Sequence, residues 1–180
     1  MKNKIILLGV TGSISCYKVC DIITRLRRKR YEIICIMTKE ARKFITPLTL
    51  ESLSGNKTYI DMFELPEKRD LLHISLAQKA DVILICPATA NIIAKLASGI
   101  CDDLLTCTVL SSKSTVLIAP AMNENMYKHP VTRNNISRLK KFGYKIIPPV
   151  RGRLACGHEG LGHLADVEVI ISHMEKLLKK

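Results

Sequence analysis

The stretch KIILLGVTGSIS, residues 4–15, joins an apolar run to a turn that contains Gly12 and Ser13. A short run rich in Ile and Leu is typical of a strand that is buried on both faces of a parallel sheet. A helical pattern follows the turn, so its backbone N–H groups and the hydroxyls of Ser13 and Ser15 predict an anion site. Its glycine spacing is not that of a dinucleotide site and the Walker lysine pattern is absent, which favours a single phosphate. The same turn is also compatible with a plain strand-to-helix connection.

The strand-then-helix pattern repeats along the chain. Apolar, strand-like runs cover residues 4–10, 31–38, 81–88, 114–121 and 144–149. Helical patterns cover residues 14–29, 41–53 with a break at Pro47, 71–79, 92–110 and 125–142. A final amphipathic helix follows Asp166, which we predict to be its N-cap. This alternation predicts right-handed crossovers and a doubly wound α/β fold with a parallel sheet, formed by residues 1–180 as a single domain.

The composition limits the classes of protein to consider. The 180 residues include 28 Lys and Arg against 16 Asp and Glu, a net charge of +12. Aromatic residues are only 4% and Trp is absent, so we expect an anionic, phosphorylated small molecule and no nucleic acid. No apolar run approaches the ~18 residues of a membrane span, and the N-terminal run is too short for a signal peptide. The seven cysteines then indicate a cytoplasmic protein, in which disulfides are not expected.

Distinctive stretches follow the third and fourth predicted strands, where ligands of a parallel sheet bind. They are PATANIIAKLASGICDDLLT, residues 87–106, and PAMNENMY, residues 120–127. A third stretch, RLACGHEGLGHLAD, covers residues 153–166. In this order, and with the turn at 9–15, they resemble the motifs of the homo-oligomeric flavin-containing cysteine decarboxylases. The resemblance extends over nearly all 180 residues, with Tyr127 where the family often has Trp.

The resemblance implies a flavodoxin-like or Rossmann-like subunit that binds FMN and assembles as trimers or dodecamers, with active sites between subunits. It implies three catalytic residues: His73 as a base for a thiol, Asn123 as the ligand of the substrate carboxylate, and Cys156 as a proton donor. The FMN-binding residues that it implies are Gly12, Ser13, Thr38, Ala88, Thr89, Asn91 and Met122.

The implied reaction is the decarboxylation of 4'-phospho-N-pantothenoylcysteine to 4'-phosphopantetheine in coenzyme A synthesis. Loss of carbon dioxide from a cysteine amide leaves electrons on the α-carbon that an ordinary thiol cannot accept. Oxidation by flavin to a thioaldehyde, loss of carbon dioxide to an enethiolate, and re-reduction would solve this problem. The alternatives are a peptidyl-cysteine decarboxylase, a flavin prenyltransferase of the same fold, and a non-catalytic flavin-binding regulatory subunit.

The stretch at 153–166 also raises the question of a metal. The spacing of His158 and His163 lies within zinc-like limits, but structural zinc usually requires paired cysteines, and only Cys156 is present, so we expect no metal. We predict that the glycines of this stretch, Gly157, Gly160 and Gly162, are hinges of a flap that closes over the substrate. His158 and His163 depart from the family pattern, and the sequence gives them no role.

Overall fold

The computed structural model describes residues 3–63, 71–153, 157 and 159–178. Its centre is a six-stranded sheet in which all pairings are parallel, with the strand order β3-β2-β1-β4-β5-β6. The strands are β1 (Ile5–Val10), β2 (Glu32–Met37), β3 (Thr58–Tyr59), β4 (Val82–Ala88), β5 (Thr115–Pro120) and β6 (Lys145–Ile146). This is the Rossmann order, and the predicted doubly wound α/β fold is confirmed.

Helices cover both faces of the sheet. They are α1 (Tyr17–Arg28), α2 (Pro47–Ser54), α3 (Leu72–Lys79), α4 (Ala90–Ser98), α5 (Leu104–Ser111), α6 (Glu124–Lys128), α7 (Pro130–Lys141) and α8 (Val167–Leu178). Side chains of α1, α2 and α8 form one buried cluster against the sheet, and those of α3, α4, α5 and α7 form the other. Every residue of β1 and β4 is buried, which explains why these strands read as continuous apolar runs.

Two predicted helices are each divided in two. In the pattern at 92–110, Gly99 has φ +71° and ends α4, and Asp103 then begins α5 through a reciprocal capping box with Thr106. In the pattern at 125–142, Pro130 occupies the first turn of α7, where a missing N–H costs nothing. Asp166 lies directly before α8, and its carbonyl accepts the N–H of Ile170.

The expectation that the cysteines form no disulfide is wrong for one pair. Cys101 and Cys107 form a disulfide across the start of α5, with their Cα atoms 4.8 Å apart. The loop between α4 and α5 brings them together because it turns back to cap α5. Cys35 and Cys86 are fully buried core residues, as predicted. Burial raises the pKa of the Cys35 thiol to about 12, which is typical of an unreactive structural cysteine.

A separate two-stranded hairpin follows the main sheet. It pairs β7 (Val150–Arg153) with β8 (Glu159–His163) in antiparallel register. Val150 pairs with His163 and Arg151 with Leu161, so Gly162 is an extra, bulged residue. The sequence patterns predicted neither this hairpin nor β3. Within the described part of the chain, no helix combines the length and apolar character needed to cross a bilayer.

Candidate active site

A cavity of about 690 Å³ lies beyond the carboxyl ends of β1, β4 and β5. The strand order reverses between β1 and β4, and such a switch point is where sheets of this type bind ligands. Four segments surround the cavity: the turn after β1, the start of α4, the loop after β5, and the hairpin. The described lining residues are Gly12, Ser13, Ile14, Ser15, Tyr17, Thr89, Ala90, Ala121, Met122, Asn123, Met126, Arg153, Gly157, Gly162 and His163.

The turn after β1 is shaped by short side chains. The Ser13 hydroxyl accepts the N–H of Ser15 at 3.3 Å and caps a 3-10 turn that leads into α1. Gly12 lies so close to Glu40 that a Cβ at this position would collide with the Cβ of Glu40. The turn therefore presents backbone and hydroxyl groups to the cavity, as an anion site requires.

Thr11, which the sequence analysis did not single out, connects this turn to the end of β4. Its buried hydroxyl donates to the carbonyl of Pro87 at 2.7 Å and accepts the N–H of Thr89 at 3.1 Å. Thr89 in turn caps α4 by accepting the N–H of Ile92. The two loops on either side of the switch point are thus held together by one hydroxyl, and a threonine in a turn gives no sequence signal of this role.

The loop after β5 carries the Met122-Asn123 pair of the stretch PAMNENMY. The N–H of Ala121 donates to the carbonyl of Ala88 at 3.0 Å, and the N–H of Met122 donates to the carbonyl of Gly162 at 3.0 Å. Asn123 begins α6 as its N-cap, with Oδ1 accepting the N–H of Asn125 at 2.9 Å. The cap fixes the orientation of the amide at the edge of the cavity.

The hairpin closes the remaining side. Gly157 and Gly162 have φ values of +88° and +151°, which favour glycine. At Gly162 there is a second reason for glycine, because a Cβ would overlap the carbonyl oxygen of Met122. Gly160 pairs with Gly152 within the hairpin. The close contact at Gly162 makes it an anchor of the hairpin, and the predicted hinge role of the three glycines stays a prediction.

The structure brings together some of the predicted site residues and not others. Five of them line the same cavity of about 690 Å³, which we call the main cavity: Gly12, Ser13, Thr89, Met122 and Asn123. The other described candidates lie outside its lining: Ala88 is buried in β4, Asn91 is exposed on α4, His73 is half-buried on α3, and Thr38 lines a second cavity. Cys156 and His158 lie outside the described residues. Arg153 lines the cavity although no sequence pattern pointed to it.

Thr38 and Gly12 are nevertheless neighbours through one loop. The Thr38 hydroxyl accepts the N–H of Ala41 at 3.4 Å, and Glu40 of the same loop contacts Gly12. The second cavity, of about 330 Å³, also contains Lys95, which forms ion pairs with Asp102 at 2.8 Å and Asp103 at 3.2 Å. The ion pair with Lys95 lowers the pKa of Asp102. Desolvation lowers the pKa of Lys95, but the contacts with the two aspartates together outweigh it, so the pKa of Lys95 is raised.

The main cavity fits a phosphate-bearing flavin. Its described lining contains Arg153 and His163 but no Asp or Glu, so it favours anions. The hydroxyls of Ser13, Ser15 and Thr89 lie beside a turn whose backbone can approach a ligand closely. Ile14, Tyr17 and the two methionines supply the apolar surface that a planar ring system needs.

Glu124 connects α6 to the hairpin. Its carboxylate pairs with Lys128 at 2.7 Å and lies beside the backbone N–H of Leu161. The contact with Lys128 and then that with Leu161 hold the pKa of the Glu124 carboxyl below its usual value. The carboxylate is therefore charged where α6 meets the hairpin.

This pKa shift predicts how stability depends on pH. Because the folded-state pKa of Glu124 is below the unfolded value of 4.5, its contribution is complete above that value and disappears as the pH falls through the lowered pKa. In urea unfolding, the wild type is expected to be more stable than Glu124→Gln at pH 7, with the difference vanishing in acid. A difference that is constant across this pH range would contradict the assignment.

Comparisons with known proteins agree with this geometry. A family model described as Flavoprotein matches residues 1–179. A probable phosphopantothenoylcysteine decarboxylase of Streptococcus mutans is 44% identical over 178 residues, which cover 98% of this chain and 99% of that protein. The coenzyme A biosynthesis bifunctional protein CoaBC of Bacillus subtilis is 44% identical over 176 residues, 98% of this chain and 43% of that protein. The chain thus spans less than half the length of this bifunctional relative.

Two solved structures are similar to nearly the whole chain. A cysteine-to-serine mutant of PPC decarboxylase, complexed with pantothenoylaminoethenethiol, has a TM-score of 0.89 and 29% identity, covering 99% of this chain and 100% of that one. The FMN-dependent cysteine decarboxylase SpaF has a TM-score of 0.84 and 34% identity, covering 98% and 96%. With a family match over residues 1–179 and a relative of equal length at 44% identity, the chain belongs to the Flavoprotein family.

Proposed function

We propose that the chain is an FMN-dependent decarboxylase of 4'-phospho-N-pantothenoylcysteine that acts in coenzyme A synthesis in the cytoplasm. The observation that carries this proposal is the meeting of Asn123 and the turn at Gly12 and Ser13 in one cavity. Such a cavity offers two separate sites for anions, as a cofactor phosphate and a substrate carboxylate require. The 44% identity to a phosphopantothenoylcysteine decarboxylase of the same length supports the choice of substrate.

FMN would be held by groups on three of the four segments. Its phosphate would meet the turn at Gly12 and Ser13, with Thr38 on the adjoining loop, and its ring would lie along Ala88, Thr89, Asn91 and Met122. When bound, the flavin supplies the electron acceptor that the cysteine side chain lacks and later returns the electrons. The apolar residues around the cavity exclude water from the reacting groups.

Asn123 would bind the carboxylate that is lost. Its Oδ1 accepts the N–H of Asn125, so the Nδ2 amide group is the part that can donate to a carboxylate. A neutral donor holds the carboxylate without the permanent charge that would stabilise the ground state more than the transition state. Cys156 would then protonate the product, and His73 would take the proton of the substrate thiol.

We further propose that the site is completed by a second copy of the chain. His73 lies outside the lining of the cavity, although it is the expected base. Near it along the chain, the side chains of Phe63 and Leu71 are 83% and 68% exposed, so both are available for burial between subunits. A homo-oligomer, trimeric or dodecameric, would bury these side chains and bring His73 of one subunit to the cavity of another.

The peptidyl-cysteine decarboxylase alternative stays open, because SpaF, at 34% identity, is described only as an FMN-dependent cysteine decarboxylase. Such an enzyme would carry out nearly the same chemistry on a different substrate, so a comparison of the rates with the two substrates decides between the two functions. Purified protein is expected to be yellow and to release carbon dioxide from 4'-phospho-N-pantothenoylcysteine at least tenfold faster than from a peptide ending in cysteine. Colourless protein that binds no FMN would contradict the whole proposal, and a preference for the peptide would support the alternative.

The carboxylate role predicts the effect of Asn123→Asp. Aspartate can still cap α6, because its carboxylate accepts the N–H of Asn125, but it lacks the amide donors and repels the substrate carboxylate. We expect unchanged FMN binding and thermal stability, with kcat/KM lowered about tenfold or more. Asn134→Asp, an exposed amide on α7, is the matched control for the added charge. Equal kcat/KM in both variants would contradict the role of Asn123.

A further inference from the structure

The bulge at Gly162 determines which way His163 faces. In a regular strand Leu161 and His163 would share a face, because side chains alternate with a period of two. The extra residue shifts the alternation, so Leu161 lines a separate cavity beside Tyr127 and Lys140 while His163 lines the main cavity. The bulge itself is anchored to Met122, the neighbour of Asn123. His163 is therefore held at a fixed place on the wall of the candidate active site.

The hydrogen bond of the imidazole identifies the nitrogen available to a ligand. Nδ1 of His163 lies 3.0 Å from the carbonyl oxygen of Leu164, a fully buried residue. A carbonyl oxygen can only accept, so Nδ1 carries a hydrogen and donates it. The ring also packs over Gly152, where a Cβ would lie 3.3 Å from its Cγ. With Nδ1 engaged, Nε2 is the nitrogen through which His163 can bind a molecule in the cavity.

The charges of the cavity wall are unequally distributed. The turn at Gly12 and Ser13 contributes hydroxyls and backbone N–H groups, whereas the hairpin contributes Arg153 and His163. The described lining residues include no carboxylate that could neutralise the Arg153 guanidinium within the cavity. A guanidinium and an imidazolium present several N–H donors and suit the oxygens of a carboxylate or phosphate.

We propose that Arg153 and His163 form a third anion site of the cavity, which binds an anionic group of the substrate, in addition to the turn after β1 for the phosphate of FMN and the amide of Asn123. Arg153 donates through its guanidinium, and His163 donates through Nε2 when both ring nitrogens carry a hydrogen, since Nδ1 is already protonated. The inference rests on the proposed function and extends it, because it assigns substrate recognition to two residues of the hairpin. The substrate carries two such groups, a carboxylate and a phosphate, which share this oxyanion chemistry.

The test is a set of steady-state measurements on FMN-loaded protein. Arg153→Ala and His163→Gln are each expected to raise KM about ten- to a hundredfold, the range for a charged hydrogen bond, with little change in kcat or in the affinity for FMN. His163→Arg, which keeps a cation at the position, is expected to retain most of the wild-type KM. Arg151→Ala is the matched control, since it removes the same charge from β7 at a residue outside the cavity lining.

Substrate without the phosphate, N-pantothenoylcysteine, separates the two sources of the oxyanion. If the variants raise KM only for the phosphorylated substrate, the pair binds the phosphate; if they raise KM for both substrates, it binds the carboxylate. An active wild type whose variants all keep the wild-type KM, or lose FMN affinity instead, would overturn the inference while leaving the proposed function intact. An inactive wild type would refute the proposed function itself.

Discussion

Replacing Gly162 by alanine is expected to lower kcat/KM about a hundredfold, the cost of misplacing catalytic groups by about 1 Å. The added Cβ would overlap the carbonyl oxygen of Met122, which belongs to the backbone and cannot rotate away. Relief of the overlap requires the hairpin to move off the loop after β5, which breaks the hydrogen bond between Met122 and Gly162. Steady-state kinetics measures the loss in kcat/KM. We also expect the free energy of unfolding to fall by about 1–3 kcal/mol.

Gly143→Ala separates the steric effect from backbone strain. Gly143 has φ +92° but no heavy atom within 4 Å of the position that a Cβ would occupy, and it lies after α7, outside the cavity lining. Alanine at position 143 should lower the free energy of unfolding only because its Cβ disfavours a positive φ, and it should leave kcat/KM unchanged. If Gly162→Ala were as active as Gly143→Ala, the hairpin would not be anchored through Met122 in the working enzyme.

Replacing Cys156 by serine is expected to stop the reaction after carbon dioxide has been lost. A serine hydroxyl is a much weaker acid than a thiol, so the last protonation would fail while earlier steps proceed. We expect about one equivalent of carbon dioxide per active site, accumulation of the oxidised enethiol product, and complete turnover reduced a hundredfold or more. The solved complex of a cysteine-to-serine mutant of PPC decarboxylase with an aminoethenethiol accords with this expectation.

Two measurements check this result. Rapid anaerobic mixing with substrate should give a burst of carbon dioxide with lasting loss of visible flavin absorbance in Cys156→Ser, and a transient loss in the wild type, since without oxygen only the product can take back the electrons. Cys20→Ser, which alters a half-buried free thiol on α1 outside the cavity lining, is the matched control and should turn over normally. Full turnover by Cys156→Ser would remove this residue from the mechanism.

The sequence predicted the parts of the fold that local patterns determine. The apolar runs of β1, β2, β4 and β5 are buried strands, and the turn at Gly12 and Ser13 meets Asn123 in one cavity. The sequence did not predict the strands whose pairing depends on residues far away along the chain. β3 has only two residues, and the hairpin alternates poorly because of its glycines and its bulge.

The missed site residues have a similar cause. Strand alternation would have placed His163 on the same face as Leu161, and only the bulge at Gly162 turns it toward the cavity. Arg153 lies in a short exposed strand with two arginines, which resembles ordinary solvated surface. His73 and Asn91, for which the family resemblance implies roles, lie outside the lining of the single-chain cavity. No pattern within one chain predicts where a second copy would lie.

The attachment of the hairpin has a consequence for how the protein can evolve. The hairpin is joined to the loop after β5 by the main-chain hydrogen bond from the N–H of Met122 to the carbonyl of Gly162. The side chains of Arg153 and His163 take no part in this bond. Residues such as Arg153 and His163 can therefore be exchanged one at a time without loosening the attachment. Under the proposed role of these two residues, new substrate preferences are accessible by single mutations at the hairpin.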